Sequence, residues 1–304
     1  MDAKNSGPPG TIRVALATCS ELPQLDADTQ WLVAALKKRG VHVAPAMWDD
    51  PKVDWAEFDL VVVRSCWDYA SRRDEFLAWV EQVPHLMNTA RILTWNTNKQ
   101  YLSDLMVSGI PVIPTTWIGP EDQFHIPEEG EWVIKPAVSI ASLDTGRYQM
   151  GNSVQHQLAV EHVRQLQRAK RVTMMQPYMA AVDSDGETAM VFLGGEFSHA
   201  RRKDAILDGP DTGIDRRFQP NGGQNLQIRQ LTKAQFELAQ RTLDAVPFDR
   251  DHLLYARVDL VPADDGSPLL MELELTEPML YFGRVPEAAD RMALAIMATI
   301  EEKA

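Results

Sequence analysis

The chain has 304 residues, of which 45% are hydrophobic and 24% charged, ordinary globular values that predict one to three domains around a substantial core. A formal net charge of -13 and a pI near 5.0 give no overall attraction for nucleic acid or an anionic membrane, so an anionic substrate would need a local basic site. With two cysteines, Cys19 and Cys66, each ending an apolar run, no disulfide framework is expected and the cytoplasm is the expected compartment. No apolar run approaches the roughly 20 residues of a membrane span. Residues 1–10 lack the apolar core of a signal peptide and are expected to form a loose tail.

Along the chain, Ile12–Thr18 reads as a strand, followed by a helix through Trp31, Leu32, Ala35 and Leu36 that ends at Gly40, with Asp26 or Asp28 as its cap. Val41–Met47 and Leu60–Val63 are the next strands, and Arg72–Val83 is a helix. The unbroken apolar run at Leu60 and the alternation of strands with helices predict a small α/β unit on a parallel sheet. Ligands of such sheets sit beyond the carboxyl ends of the strands, which makes Arg64, Trp67 and Tyr69 candidate substrate contacts alongside a plain packing role.

From Asn88 to Ile118 the pattern predicts strand, helix, strand, with the helix entered near Thr97, closed at Gly109-Ile-Pro111, and followed by a strand over Val112–Trp117. Trp132-Val-Ile-Lys-Pro136 places Lys135 at the end of an apolar strand, where it needs an anionic partner or water. The small, polar stretch from Val138 to Arg147 suits a loop that covers phosphates with N–H groups and hydroxyls. It is not a P-loop. A helix follows over Ser153–Ala169, then a strand over Val172–Met179 in which Pro177 leaves backbone groups able to read an adenine edge. Ala189–Leu193 and Phe197–Lys203 predict a hairpin across Gly194-Gly195 that ends in the basic cluster Arg201, Arg202 and Lys203, either a solvated strand end or a phosphate clamp. A turn-rich loop with Arg216 and Arg217 spans 208–223, and helices are expected over Lys233–Ala245 and Glu287–Glu301.

The most informative stretch is Tyr255–Val261, a turn at Asp264-Asp265-Gly266, and Leu269–Pro278. Strand alternation puts Arg257 and Asp259 on one face, and Glu272, Glu274 and Thr276 on one face with Met271, Leu273 and Leu275 opposite. A turn centred on Asp265-Gly266 pairs Asp259 with Glu272 and Arg257 with Glu274. Carboxylates a few ångströms apart repel by about 4 kcal/mol per close pair at an effective dielectric of 20, so a cation is expected among them. Hard oxygen ligands at this spacing suit Mg2+. On alternation alone, a solvated face of an edge hairpin accounts for the same residues.

The order of these features resembles the ATP-grasp superfamily over nearly the whole chain: Asn-Thr-Asn-Lys99, Val-Ile-Lys135 with its loop, Gln176-Pro-Tyr-Met179, Arg202, Arg-Val-Asp259 and Glu272-Leu-Glu274. The resemblance implies an N-terminal Rossmann-like parallel sheet (1–95), a central subdomain (96–175) and a C-terminal subdomain carrying the metal site (176–304), the last two being α+β and enclosing a nucleotide. It implies that Lys99 and Lys135 contact the phosphates under the loop bearing Ser139 and Ser142. Gln176, Pro177 and the Tyr178 backbone would hold the adenine, and Asp183 or Glu187 the ribose. Asp259, Glu272 and Glu274 would bind Mg2+, with Arg202 and Arg257 neutralising the transferred phosphate. Two departures stand out: serines occupy loop positions where the family has glycines, and Glu274 stands where it usually has an asparagine.

Within the superfamily, Leu-Thr-Glu-Pro278 and Arg-Ser-Cys-Trp-Asp-Tyr69 are similar to the cyclo-ligases that close O-ureido-D-serine to D-cycloserine. The implied activity is ATP-dependent activation of an amino-acid carboxylate as an acyl phosphate, captured by a nitrogen, with Glu277 holding the substrate ammonium. An intermolecular ligase of the glutamate or D-alanine type, or a nucleotide-binding protein without turnover, would share most of these residues. A small amino-acid-like substrate and a homodimer are the expected partners.

Overall fold

The computed structural model describes residues 10–205, 207, 214–215 and 227–303. At the N-terminus, strands β1 (Arg13–Thr18), β2 (His42–Met47) and β3 (Leu60–Ser65) alternate with helices α1 (Thr29–Lys38) and α2 (Arg73–Val80), ending in the short β4 (Leu86–Met87). The strands form a parallel sheet in the order β2-β1-β3-β4, and β3 is buried along its whole length, as its apolar run requires. Asp26 is the side chain that caps α1, its carboxylate accepting the N–H groups of Asp28 and Thr29 at 2.8 and 3.0 Å. Asp28 instead accepts the N–H of Gly283.

Two short helices follow, α3 (Ala90–Asn96) and α4 (Tyr101–Val107). The first replaces the strand expected from Asn88. Its buried Ile92, Leu93 and Asn96 recur at helical rather than alternating spacing. The strand expected over Val112–Trp117 is reduced to β5 (Thr116–Ile118), because Pro111 and Pro114 cannot donate to a ladder; Val112 makes only an isolated bridge to Leu270. Next come β6 (Glu131–Pro136), β7 (Gly146–Gln149), α5 (Ser153–Arg168) and β8 (Thr173–Pro177). The four strands form an antiparallel sheet in the order β5-β8-β6-β7, with α5 packed on it over Ile118, Ile134, Tyr148, Val163 and Leu166. Residue 175 falls inside β8, so this sheet ends at Pro177.

The short α6 (Val182–Asp185) leads to a hairpin of β9 (Glu187–Leu193) and β10 (Glu196–Lys203). After β11 (Gln227–Ile228), the capped helix α7 (Lys233–Asp244) precedes a second hairpin, β12 (Tyr255–Pro262) with β13 (Pro268–Glu274). These strands make a sheet ordered β11-β10-β9-β12-β13, in which β9 and β12 are central. The final helix α8 (Pro286–Lys303) packs on α1 and on β9 and β10. One apolar cluster therefore runs from Val14, Leu32 and Leu60 through Ala189 and Val191 to Phe282 and Met292, joining the first sheet to the last. The loop predicted over 208–223, with Arg216 and Arg217, lies outside the described residues apart from Ile214 and Asp215. Among the described residues no helix is long and apolar enough to cross a membrane.

Candidate active site

A cleft of about 230 Å³ lies where the central and last sheets face each other, bordered on one side by the segment that follows the carboxyl end of β3. The β12–β13 hairpin forms its floor. Its register pairs Asp259 with Glu272 and Arg257 with Glu274, as the turn position predicts. The pairing then shifts between Asp259 and Leu260, so that Met271 is an extra residue. This bulge corrects the simple alternation: Met271 reaches the cleft wall, where it packs with Ile113, Val261 and Leu269, instead of lying opposite Glu272.

Every acid on this floor has a cation. Lys99 lies 3.0 Å from Glu272, and donates at 2.9 Å to the carbonyl of Ser139 in the Ser/Thr loop. Burial opposes charge on both partners. The attraction outweighs it, so Lys99 is held above and Glu272 below its ordinary range. Arg257 donates to Asp259 at 2.9 Å, and Lys203 lies 2.8 Å from Asp259 and 2.6 Å from Glu187. Asp259 is fully buried and stays ionised because Arg257 and Lys203 overcome its desolvation. Lys135 has the opposite balance: burial pushes its ammonium down, and the nearby Glu272 restores only part. Among the described residues this lysine has no carboxylate at ion-pair distance, and an arriving phosphate would supply a counter-charge.

Glu274 pairs with Arg257, yet its carboxyl is pushed up to about 7, by burial first and then by Glu272 and Asp259. Glu277 is raised to about 8 by burial and by Glu274. Asp259 and Glu274 share Arg257, and the donors of the floor are carboxylate oxygens, which suits a hard divalent ion. No group of three or more such side chains among the described residues is assembled to coordinate an ion alone. A site completed by phosphate oxygens does not require one.

Over this floor, the loop after Lys135 adopts left-handed conformations at Ala141, Ser142 and Asp144, with φ of 49°, 62° and 56°. These are conformations that glycines take without strain. Ser139 and Ser142 both line the cleft. The far end is apolar and holds Gln176, Pro177, Tyr178, Met179 and Val182. Of the Tyr178 backbone groups expected to read a base, the N–H is already used, donating to the Glu131 carbonyl at 2.7 Å. Its ring lies 3.4 Å beneath Arg147, and its hydroxyl donates to Asp183. Asp183 is also paired with Arg147 and does not line the cleft, whereas Glu187 does.

Arg202 is another correction. It points away from the cleft, donating to the carbonyls of Ser184 and Asp185 and pairing with Asp204, while Lys203 faces inward. The cause is a register shift in the β9–β10 hairpin between Phe197 and His199, which places Lys203 rather than Arg202 opposite Glu187. On the N-terminal side, Trp67, Tyr69 and Glu277 close the cleft. Arg64 stays behind it, donating to the Pro278 carbonyl and lying 5.4 Å from the Tyr255 ring centre. Cys19 and Cys66 are both free and buried, with burial pushing each thiol up. Asn96, which opens the Asn-Thr-Asn-Lys99 motif but was given no role of its own, lines the cleft and ties β13 in place, donating to the Leu273 carbonyl and accepting the Leu275 N–H.

Comparison with known proteins agrees with this geometry. Residues 14–96 match the family model described as the N-terminal domain of D-cycloserine synthetase DcsG. The cycloserine biosynthesis protein DcsG of Streptomyces lavendulae is 34% identical over 301 residues, covering 93% of this chain and 97% of that protein. A crystal structure of D-cycloserine synthetase DcsG superposes with a TM-score of 0.83 at 32% identity, over 95% of this chain and 99% of that one. D-alanine–D-alanine ligase from Bacillus anthracis, in a complex with ATP, has a TM-score of 0.69 at 15% identity over 96% and 97% of the two chains, a likeness of fold. The chain belongs to the D-cycloserine synthetase DcsG family and is an ATP-dependent ligase with the ATP-grasp fold.

Proposed function

We propose that the chain uses Mg-ATP to close O-ureido-D-serine to D-cycloserine. The observation that carries this reading is the position of Glu277: a half-buried carboxyl beside Glu274 and the Trp67–Tyr69 loop, at the end of the cleft where the phosphate-binding cations stop. That end is enclosed and suits one small zwitterion.

In this reading Lys99, Lys135 and Lys203 hold the phosphates beneath Ser139 and Ser142, Glu187 takes the ribose, and Gln176 with the Pro177–Met179 segment takes the adenine. Asp259, Glu272 and Glu274 would hold Mg2+, which when bound supplies charge neutralisation at the phosphoryl oxygens. Arg257, already paired with Asp259 and Glu274, is placed to stabilise the transferred phosphoryl group. Glu277 is uncharged below about pH 8 and ionises when the substrate ammonium arrives beside it.

The substrate carboxylate oxygen takes the γ-phosphoryl group, releasing ADP. The nitrogen bonded to oxygen in the ureido group then attacks the acyl carbon, the C–N bond closes the ring, and phosphate leaves with the electron pair of the broken C–O bond. The attacking nitrogen gives up its proton, and water removes the carbamoyl group as carbon dioxide and ammonia. The division of the chain near residues 95 and 175, and assembly as a homodimer, belong to the same proposal.

The test is mass spectrometry of products from ATP, Mg2+ and O-ureido-D-serine. Equal amounts of D-cycloserine, ADP and phosphate are expected. ADP formed only when a second amino acid is supplied, with a dipeptide as product, would place the chain among intermolecular ligases instead.

A further inference from the structure

Gln176 is 4% exposed and sits in the apolar slot of the cleft, among Pro177, Met179, Val182 and Met271. Its amide has an accepting oxygen and a donating NH2, and rotation of that group by half a turn would exchange them. Thr115 decides which faces the cleft. This residue immediately precedes β5, whose first pair is Thr116 with Met175, so Thr115 comes opposite Gln176. Its hydroxyl donates to the Ile113 carbonyl at 2.9 Å. With its one proton used there, it can only accept from Gln176, and Nε2 donates to it at 2.9 Å. Donation therefore runs in one direction, from Gln176 through Thr115 to the carbonyl, and Oε1, which accepts from none of the described residues, is the atom left for a ligand.

We infer that Thr115 sets nucleobase specificity by fixing the Gln176 amide with its oxygen toward the base, so that the slot takes a 6-amino purine and rejects a 6-oxo purine. This rests on the proposed assignment of the slot to the base of a nucleotide. A 6-amino group donates to Oε1. A 6-oxo group would meet it acceptor to acceptor, leaving two polar atoms unpaired in a desolvated slot. Thr115 does not itself line the cleft and acts only through Gln176, as a positioning residue. With the hydroxyl removed, nothing orients the amide, and its NH2 becomes available to the 6-oxo purine.

The experiment is calorimetric titration of the full chain with ADP and with inosine diphosphate, both with Mg2+. The two ligands differ only in the purine ring at the 6-amino or 6-oxo group and the adjoining ring proton. Discrimination at that ring proton is common to wild type and variants, so a change in the affinity ratio reads the amide. Thr115→Val should lower the ratio of ADP to inosine diphosphate affinity by about tenfold, the weight of one hydrogen bond gained or lost. Thr115→Ala should do the same if valine packs badly, and Thr115→Ser should restore the wild-type ratio. An unchanged ratio in the valine and alanine variants, or an equal fall in the serine variant, overturns the inference. A wild-type chain that binds neither diphosphate refutes the underlying ATP assignment, a result distinct from an unchanged ratio.

Discussion

Glu277→Gln should make the protein more stable at pH 8 while removing its activity. Burial and Glu274 raise the Glu277 carboxyl from 4.5 to about 8, so on unfolding in this interval the side chain releases a proton. The unfolded state then binds fewer protons than the folded one, and stability falls as pH rises from about 4.5 to about 8. A displacement of that size corresponds to roughly 5 kcal/mol at most. Glu277 is only half-buried, and water reaching it reduces the figure to about 2 kcal/mol. Glutamine carries the same shape without the charge and should recover that amount at pH 8, raising the melting temperature by about 5 °C, with no gain at pH 4.5. Paired thermal melts of wild type and variant at pH 4.5, 6.5 and 8 read the effect. A gain that does not grow with pH, or a loss at pH 8, would show that the carboxyl is already ionised in the fold. Turnover with an amino-acid substrate should fall at least about a hundredfold, since a buried ammonium would lose its counter-charge. The site is destabilised to the extent that it is prepared for a cation.

Glu272→Gln should leave the circular dichroism spectrum unchanged and reduce substrate-dependent ADP release by about a thousandfold or more; undiminished release would remove Glu272 from the metal site. Lys203→Met leaves Glu187 and Asp259 without their shared cation and should cost about 3–5 kcal/mol in urea unfolding, part of which returns when Glu187→Gln is added. A cost below about 1 kcal/mol with no such coupling would refute the buried triad as drawn. Lys135→Ala should weaken ATP binding by about tenfold to a hundredfold in calorimetry, and an unchanged dissociation constant would take Lys135 out of the nucleotide site.

Sequence reasoning reached furthest where a turn fixed the register. Counting back from a turn centred on Asp265-Gly266 gives the pairs Asp259–Glu272 and Arg257–Glu274, although the turn itself pairs Pro262 with Pro268 and the bulge at Met271 restores the expected register. In the β9–β10 hairpin no such offset compensates the bulge. Counted from Gly194-Gly195 without irregularity, Arg202 falls opposite Glu187, but the shift between Phe197 and His199 brings Lys203 there and turns Arg202 outward. Composition carries no mark of that single-residue slip, because either residue supplies a cation at the strand end. Met271 was misplaced for the same reason. The helix Ala90–Asn96 was hidden differently: its seven residues are too short for periodicity to declare itself, and its role shows only through the backbone bonds of Asn96 to β13. Lys135 stood out because it interrupts an apolar strand and calls for a partner, whereas Lys99 and Gln176 were singled out only through the resemblance to the superfamily.

The apolar cluster that joins the first sheet, α1, α8 and the core of the last sheet has a mechanical meaning for the cleft. Two of the three sheets share a continuous apolar interior, while the sheet of β5 to β8 has an interior of its own over Ile134, Tyr148 and Val163 on one face and, among the described residues, meets the last sheet on the other only through Met174 and Trp117. Sliding within a large packed interior is costly, whereas pivoting at a contact as small as that of Met174 and Trp117 costs less. The ligase is thus a heavy anvil and a light hammer: the carboxylates, Arg257 and Glu277 belong to the anvil, and Lys135, the Ser/Thr loop and Gln176 to the hammer. Any opening that admits a nucleotide must swing the part that grips it and leave the acid floor and the substrate end in fixed relation.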